Sequence, residues 1–326
     1  MTERRRRIAI TIGDANGIGP EIAVKAACAV QDDGFDVVLI GDAFVLQKEV
    51  DRHAVPLTLV SFDEHAAVQP AGLPYIDVAA LAPTAYQPGQ ISQEAGAATI
   101  EYVRAAVALA KRGAVDAIVG CPHSETSIHR AGIRFSGYPG LIATLTNTPE
   151  DRVFLLLVAP TLKIGHVTLH EPLTHALARL TPDLVVEAAL AIIEATRALG
   201  VPEPRLGVFG INPHAGEGGL FGDEDQLITE PAVARLKSMG LQVDGPIGAD
   251  LLLSQRKHDV YLAMYHDQGH IPIKLISPLQ ASALSVGGGI FFSSVGHGCA
   301  FDIAGQGTAD PTATLRTVRS LAGLER

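Results

Sequence analysis

The most constraining feature of the sequence is a repeated alternation of short apolar runs with longer helical segments. Residues 7–12, 36–40 and 115–120 have the character of buried strands, and residues 20–30 follow the first of them as a helical segment. Ser92 is placed to cap a helix that continues to about residue 112. Strand, helix and strand repeated in this way are typical of a mostly parallel sheet. The pattern therefore predicts an α/β fold.

The second half of the chain continues the same pattern. Strands are predicted at 153–158, 205–211 and 259–265, and a helix begins at Thr181-Pro182 and runs to about residue 199. The run at 153–158 contains no polar residue, which is typical of a strand covered on both faces. A chain of 326 residues exceeds one ordinary core, so we expect two domains or one large α/β domain.

Composition excludes several classes of partner. The formal net charge of −10 argues against nucleic acid or an anionic membrane, although a small anionic substrate stays compatible with it. No segment approaches the ~20 apolar residues of a membrane span, and the run after the basic start is too short for a signal peptide. Cys28, Cys121 and Cys299 show neither a disulfide framework nor a zinc spacing. We expect a cytoplasmic protein.

Three histidines stand where a parallel sheet places its ligands. His170, His214 and His266 each follow an apolar, strand-like run, and the carboxyl ends of such strands form the usual binding edge. Imidazole suits zinc and other divalent metals, and three protein ligands leave an open position for substrate. A histidine taken alone is more often structural, and the glycine-rich stretch 216–219 could be a plain loop. The residues by themselves therefore give a metal site only as a hypothesis.

Longer motifs carry a resemblance to a known family. Residues 11–21, 212–218 and 265–269 resemble, in the correct order, the 4-hydroxythreonine-4-phosphate dehydrogenase family. The resemblance spans nearly the whole chain and implies one metal held by three histidines, His170, His214 and His266. Zinc is the expected ion, with magnesium, manganese, cobalt or nickel as alternatives. It also implies a homodimer with a shared active site, in which the third histidine comes from the partner subunit.

A second resemblance concerns the cofactor. The glycines at 13, 17 and 19 lack the spacing of the Rossmann fingerprint. Residues 296–311 instead are similar to the adenosine-binding loop of isopropylmalate and isocitrate dehydrogenases, which bind NAD. The implied cofactor residues are His297, Gly298, Asp302, Ile303 and Asp310. The carboxylate of Asp310 disfavours the extra phosphate of NADP.

The fold of those dehydrogenases implies two α/β domains with mostly parallel strands. On this analogy we expect a discontinuous first domain, 1–135 with 290–326, on the cofactor side. The second domain, 136–289, is expected to carry the metal and the dimer contact.

Several substrate contacts of the phosphate enzymes are missing together. Their Gly-His-Thr-Glu segment is replaced by Gly-Tyr-Pro-Gly at 137–140, and proline offers neither a hydroxyl nor a backbone donor. An asparagine and an arginine that bind substrate in that family are replaced by Ala283 and Phe292. The joint loss predicts a different substrate.

Other segments, 121–132 and 167–171 among them, resemble the terephthalate dihydrodiol dehydrogenase branch of the family. This branch oxidises 1,2-dihydroxycyclohexa-3,5-diene-1,4-dicarboxylate to protocatechuate with release of carbon dioxide. The resemblance therefore implies an NAD-dependent, decarboxylating dehydrogenase. The alternatives are a 4-hydroxythreonine-4-phosphate dehydrogenase, a paralogue acting on another phosphorylated acid, and a metal-binding protein without catalysis.

Four further residues are candidates for substrate or catalytic roles. Lys274 can bind a carboxylate or move a proton, although it can also form a surface salt bridge. Tyr138 suits a flat ring but can equally be a packing residue. Asp250 can orient a metal ligand or act as a helix cap. Glu125 occupies a position where the phosphate enzymes have lysine, and we assign it to substrate binding.

Overall fold

A computed structural model describes residues 5–54, 56–67, 69–135, 137–277 and 281–323 of the chain. The strands are β1 (Arg7–Thr11), β2 (Asp36–Gly41), β3 (Leu59–Ser61), β4 (Leu73–Asp77), β5 (Ala117–Gly120), β6 (Phe154–Ala159), β7 (Leu162–His166), β8 (Leu206–Phe209), β9 (Val243–Ile247), β10 (Val260–Ala263), β11 (Ser282–Val286) and β12 (Phe292–Ser294). The helices are α1 (Gly19–Ala29), α2 (Ala43–Arg52), α3 (Gln93–Lys111), α4 (Glu125–Arg130), α5 (Tyr138–Thr146), α6 (Leu173–Arg179), α7 (Pro182–Ala198), α8 (Glu230–Ser238), α9 (Ala249–Gln255), α10 (His266–Ile276) and α11 (Thr312–Leu321).

The chain divides into two compact units. Unit 1 comprises Met1–Thr146 and Gly289–Arg326, and unit 2 comprises Asn147–Gly288. The junction expected after residue 135 therefore lies after Thr146, and the junction expected after 289 lies after Gly288. Helix α5 explains the first difference, because it packs against α3 of unit 1.

Unit 1 contains six strands in the order β3-β4-β2-β1-β5-β12, and every neighbouring pair is parallel. The central strand β1 is buried along its whole length. Gly13 follows it with φ +68°, and a Cβ at Gly13 would lie 2.1 Å from the carbonyl oxygen of Pro122. Only glycine allows the segments after β1 and β5 to approach so closely.

Unit 2 contains six strands in the order β11-β6-β7-β10-β8-β9. The pairs β7–β10, β10–β8 and β8–β9 are parallel, whereas β6 is antiparallel to both β7 and β11. The apolar run predicted as a strand at 153–158 is β6, and its side chains enter a core with Ile164, Phe209 and Tyr261. The α/β class and the mostly parallel pairing are therefore confirmed.

Two helix starts predicted from the sequence are confirmed by their hydrogen bonds. Ser92 Oγ accepts from the amide of Ala95, 3.1 Å away, at the start of α3. Thr181 Oγ1 accepts from the amide of Leu184, 3.2 Å away, at the start of α7. Among the helices described, none combines the length and the apolar character that crossing a membrane requires.

Candidate active site

The three predicted metal ligands lie at one edge of unit 2. His170 follows β7, His214 follows β8, and His266 is the first residue of α10 directly after β10. Strand β10 lies between β7 and β8 and is parallel to both, so the three histidines follow neighbouring carboxyl ends. This position is where open α/β sheets bind their ligands. We call these three residues the histidine edge.

Two members of the histidine edge are brought together within one chain. The ring centroids of His170 and His266 are 5.1 Å apart. His266 Nδ1 lies 2.7 Å from Asp267 Oδ1, which assigns the proton to Nδ1 and leaves the lone pair on Nε2. Burial, and secondarily the His266 ring, lowers the pKa of His170. Both rings line a pocket of about 380 Å³ together with Leu169 and Leu173.

His214 is presented by an unusual left-handed turn. Residues 214–218 all have positive φ, with His214 and Ala215 both at +54°. Left-handed backbone costs roughly 1–2 kcal/mol per residue with a side chain, and such strain is concentrated at functional sites. His214 Nδ1 lies 2.7 Å from Glu217 Oε2, so a carboxylate again holds the ring and leaves Nε2 for a ligand.

The donor set of the histidine edge fits a divalent metal, because it offers imidazoles oriented by carboxylates. A single chain nevertheless does not gather all three. In the part of the chain that the structure describes, no group of three ligand atoms within 4.8 Å of one another includes these histidines. The rings of His170 and His266 adjoin, and among the described residues His214 does not complete a group of three ligand atoms with them. Completion of the site by a partner subunit stays a prediction.

Asp250 is exposed in the first turn of α9, beside the loop that carries His214. A Cβ at Gly248 would lie 2.8 Å from Asp250 Oδ1 and 3.9 Å from the Cα of His214. Asp250 therefore lies near that loop, and its role in orienting a metal ligand stays a prediction. Lys274 is exposed in the last turn of α10, on the helix that begins with His266.

Two further histidines adjoin the histidine edge and were not recognised from the sequence. His166 is fully buried at the end of β7. Its Nδ1 lies 3.3 Å from the carbonyl of Leu155, and its Nε2 lies 3.0 Å from His270 Nδ1. The ring of His270 stacks on that of His266 with centroids 3.7 Å apart and planes at 11°. Each lies four residues from a predicted ligand, His166 from His170 and His270 from His266. This spacing could have identified them.

The hydrogen bonds assign the tautomers of this pair. A carbonyl only accepts, so His166 carries its proton on Nδ1 and its Nε2 accepts from the Nδ1–H of His270. Burial, reinforced by neighbouring imidazoles, lowers the pKa of His166 to about 3 and that of His270 to about 4. Both rings are therefore neutral near pH 7, and His270 offers a flat, uncharged face to His266.

The predicted substrate residue Tyr138 is an interior residue of unit 1. Its ring is only 5% exposed and contacts the rings of His123 and Phe292, with centroids 4.6 and 4.5 Å away. Its hydroxyl lies 3.5 Å from the carbonyl of Cys121, and burial raises its pKa. The structure thus shows a packing role, and contact with substrate stays a prediction. Glu125 is exposed in the first turn of α4, just beyond β5.

The predicted cofactor residues lie on the loop between β12 and α11. His297, Gly298 and Asp302 are exposed, and Ile303 is partly buried. Asp310 Oδ1 accepts from the amide and the hydroxyl of Thr312, at 2.9 and 2.5 Å, and these bonds lower the pKa of Asp310. The loop therefore presents a negative charge where the adenosine end of a dinucleotide is predicted.

Comparison with known proteins places the chain among named dehydrogenases. A 1,2-dihydroxy-3,5-cyclohexadiene-1,4-dicarboxylate dehydrogenase from Comamonas sp is 50% identical over 325 residues, 98% of each chain. A D-threonate 4-phosphate dehydrogenase from Cupriavidus necator is 39% identical over 97% of this chain and 96% of its own. The relatives are named dehydrogenases, and the chain is accordingly an oxidoreductase.

Two solved structures cover nearly the whole chain. A terephthalate 1,2-cis-dihydrodiol dehydrogenase from Burkholderia xenovorans LB400 is 47% identical, with a TM-score of 0.84 and 98% of each chain covered. A 4-hydroxythreonine-4-phosphate dehydrogenase from Burkholderia phymatum is 36% identical, with a TM-score of 0.87 and 99% covered. The family model described as pyridoxal phosphate biosynthetic protein PdxA matches residues 34–321. On this evidence the chain belongs to the PdxA family.

Proposed function

We propose that this oxidoreductase is an NAD-linked, metal-dependent dehydrogenase of a carboxylated cis-dihydrodiol. The reaction would convert terephthalate dihydrodiol to protocatechuate, carbon dioxide and NADH. The observation that carries the proposal is the 50% identity, over 98% of the chain, to the enzyme named for that diene diol. The replacement of the phosphate-binding arginine position by Phe292, buried in unit 1, supports it.

The residues that would hold the metal are those of the histidine edge, and the loop between β12 and α11 would hold the dinucleotide. When bound, the metal would polarise a diol hydroxyl as a Lewis acid and NAD would accept the hydride. Asp267 and Glu217 keep Nδ1 of His266 and His214 protonated, so that Nε2 of each ring is directed to a ligand. Lys274, exposed on α10, would bind a substrate carboxylate.

The proposal includes a homodimer in which each site takes residues from both subunits. It is supported by the finding that the three histidines do not form a converging group of ligand atoms among the described residues of one chain. It is also supported by large apolar side chains exposed on unit 2, where Leu220 is 72% and Leu275 78% exposed. Exposed apolar side chains that form a continuous patch commonly mark a protein–protein interface.

The substrate assignment is tested by following NADH with purified protein, NAD and one substrate at a time. We expect turnover of the diene diol, with one carbon dioxide released per NADH. Turnover of 4-hydroxythreonine 4-phosphate or D-threonate 4-phosphate, but not of the diol, would replace it with the second candidate. That candidate is favoured by the family model and by the 39% identity to the D-threonate enzyme.

The metal assignment is tested by His214→Ala. We expect loss of zinc from the histidine edge and a fall in turnover of at least about 100-fold, with the fold retained by circular dichroism. His65→Ala is a matched control, because the His65 side chain is 90% exposed and far from the predicted ligands in sequence. An unchanged zinc content in His214→Ala would reject the three-histidine assignment.

A further inference from the structure

A second group of metal-type ligands lies in unit 1, outside the histidine edge. Glu21 is in the first turn of α1, Glu49 is in the last turn of α2, and His53 follows α2 directly. Their ligand atoms all lie within 4.8 Å of one another, and this is the group of three that converges among the described residues. His53 Nε2 is 3.6 Å from Glu49 Oε2 and 3.8 Å from Glu21 Oε1. We call these residues the Glu-Glu-His cluster.

The cluster contains buried polar atoms that lack a hydrogen-bond partner within the described part of the chain. They are Glu21 Oε2, Glu49 Oε2 and His53 Nε2. The two glutamate side chains are only 2% and 3% exposed, and that of His53 is 16% exposed. Buried carboxylate oxygens without hydrogen bonds are costly, so such atoms point to an absent ligand or proton. Burial raises the pKa of Glu49 and lowers that of His53, in agreement with this cost.

The other carboxylate oxygen of each glutamate, Oε1, already accepts hydrogen bonds. Glu21 Oε1 accepts from Lys25 Nζ at 2.7 Å and from the amide of Ala309 at 2.8 Å. Glu49 Oε1 accepts from Arg52 at 2.6 Å. Hydrogen bonds of this kind orient ligating carboxylates in metal sites, and they leave Oε2 of each residue as the ligand atom.

We propose that the Glu-Glu-His cluster is a second site for a divalent transition metal. With metal–ligand bonds of about 2.1 Å, two ligand atoms of a tetrahedral site stand about 3.4 Å apart. The 3.6 Å separation of His53 Nε2 from Glu49 Oε2 therefore needs only a small side-chain adjustment, and a carboxylate oxygen of Glu21 lies within 4.8 Å of both. Two carboxylates and one imidazole form a mixed donor set that suits zinc or manganese.

The charge balance limits which ions the cluster accepts. Lys25 and Arg52 offset the two carboxylates, so the group holds no excess negative charge when His53 is neutral. Magnesium and calcium prefer shells of six or more oxygen ligands, whereas the cluster offers two carboxylates and a nitrogen ligand from His53. Binding therefore depends on the imidazole, which distinguishes this site from a surface group of acidic residues.

The position of the cluster predicts that a bound ion would stabilise a neighbouring loop. Besides Glu21, Lys25 Nζ donates to the carbonyls of Gly307 and Ala309, at 3.1 and 2.8 Å. A Cβ at Gly307 would lie 3.3 Å from His53 Cε1, so the imidazole packs against the same loop. An ion here would join α1 and α2 beneath residues 307–309, next to Asp310. We expect it to stabilise the segment predicted to bind the adenosine end of NAD.

The test counts zinc ions per chain, with excess Zn²⁺ removed by gel filtration before elemental analysis. The proposal expects two ions in the native protein. His53→Ala and Glu49→Gln should each remove one and leave turnover with saturating NAD measurable. His214→Ala should remove the other, and the double variant His53→Ala/His214→Ala should bind none. His65→Ala, the exposed histidine of unit 1, should keep both.

A second readout does not depend on activity. In the His214→Ala protein, added Zn²⁺ should raise the melting temperature, and His53→Ala/His214→Ala should lose that rise. Glu49→Gln repeats the measurement with an isosteric side chain in case His53→Ala fails to fold. Equal zinc content in His53→Ala, Glu49→Gln and the native protein would overturn the proposal, as would the absence of zinc from His214→Ala. If the three-histidine assignment is wrong, the double variant His53→Ala/His214→Ala should still retain zinc, and this outcome is distinct from a failure of the present proposal.

Discussion

At the scale of single residues, His166 shows how a buried imidazole is kept neutral. Both ring nitrogens are engaged, one by the carbonyl of Leu155 and the other by His270. A second proton would have to sit on Nε2, where the His270 Nδ1–H already points. Gly269 allows this arrangement, because a Cβ there would lie 2.3 Å from His166 Nε2. The side chain therefore resists protonation through packing as well as burial.

This environment predicts a pH dependence of stability. Burial lowers the pKa of His166 from an ordinary 6.5 to about 3. Between these values the unfolded chain binds a proton that the folded chain does not, so the free energy of unfolding falls as the pH falls. The slope from this one group is at most ~1.4 kcal/mol per pH unit. Urea unfolding at pH 7, 6 and 5 should show a smaller slope for His166→Gln, and an unchanged slope for His65→Gln. Equal slopes for His166→Gln and the native protein would contradict this assignment.

The stacked ring of His270 gives a second prediction at this scale. Its face lies 3.7 Å from the His266 ring, so it limits how that predicted ligand can turn. We expect His270→Ala to weaken zinc binding at the histidine edge about 10-fold, the lower range for residues that orient a ligand. His270→Phe keeps a flat ring and should lose less affinity. Titration of both variants with Zn²⁺ measures the difference, and equal affinity in the two would show that stacking does not position His266.

At the residue scale, the sequence alone predicted the three residues of the histidine edge but not the neighbouring His166 and His270. His170, His214 and His266 stand out because each follows an apolar run. His166 lies inside such a run and therefore looks like an ordinary strand residue. Its contact with His270 depends on the pairing of β7 with β10, which the sequence does not reveal. Tyr138 illustrates the opposite case, because the sequence does not reveal that three rings and a carbonyl surround it. Local pattern locates side chains along the chain, and tertiary packing determines which of them meet.

At the scale of secondary-structure elements, the cap of α3 offers a direct test. Ser92 Oγ accepts from the Ala95 amide and lies 3.4 Å from Asn16 Nδ2, so one oxygen serves the helix and the loop after β1. Ser92→Ala should reduce the free energy of unfolding by ~1 kcal/mol, as is typical of lost N-caps. Ser92→Thr keeps the acceptor and should stay near the native value. Urea unfolding measures both, and a loss below ~0.3 kcal/mol in Ser92→Ala would count against the cap.

Some features that the sequence did not predict are too short or too dependent on their surroundings to leave a local pattern. Strands β3 and β12 have three residues each, too few to display a period of two. The antiparallel pairing of β6 with β7 depends on a tight connection at Pro160-Thr161, whereas the apolar pattern alone suits either direction. The left-handed turn at 214–218 is signalled only by its glycines, because His214, Ala215 and Glu217 rarely adopt that backbone. Short strands and strained turns are set by their surroundings.

At the scale of the whole molecule, the remaining question is how many chains build one active site. His170 and His266 lie side by side in one chain, yet the family resemblance assigns one ligand of each site to a partner subunit. The two arrangements predict different activities for a dimer formed from two different variant chains. If His170 and His214 of one subunit act with the partner's His266, then His214→Ala and His266→Ala damage complementary halves.

Co-expression of these two inactive variants, each with its own affinity tag, therefore gives a decisive measurement. A purified mixed dimer would hold one intact site and one doubly damaged site, so we expect about half of the native turnover per dimer. Each variant alone should stay inactive, and a mixed dimer of two His214→Ala chains is the matched control. Inactive mixed dimers that still sediment at twice the chain mass would place His214 and His266 of each site in the same subunit. Recovery of activity would instead show that His214 and His266 of one active site come from different subunits.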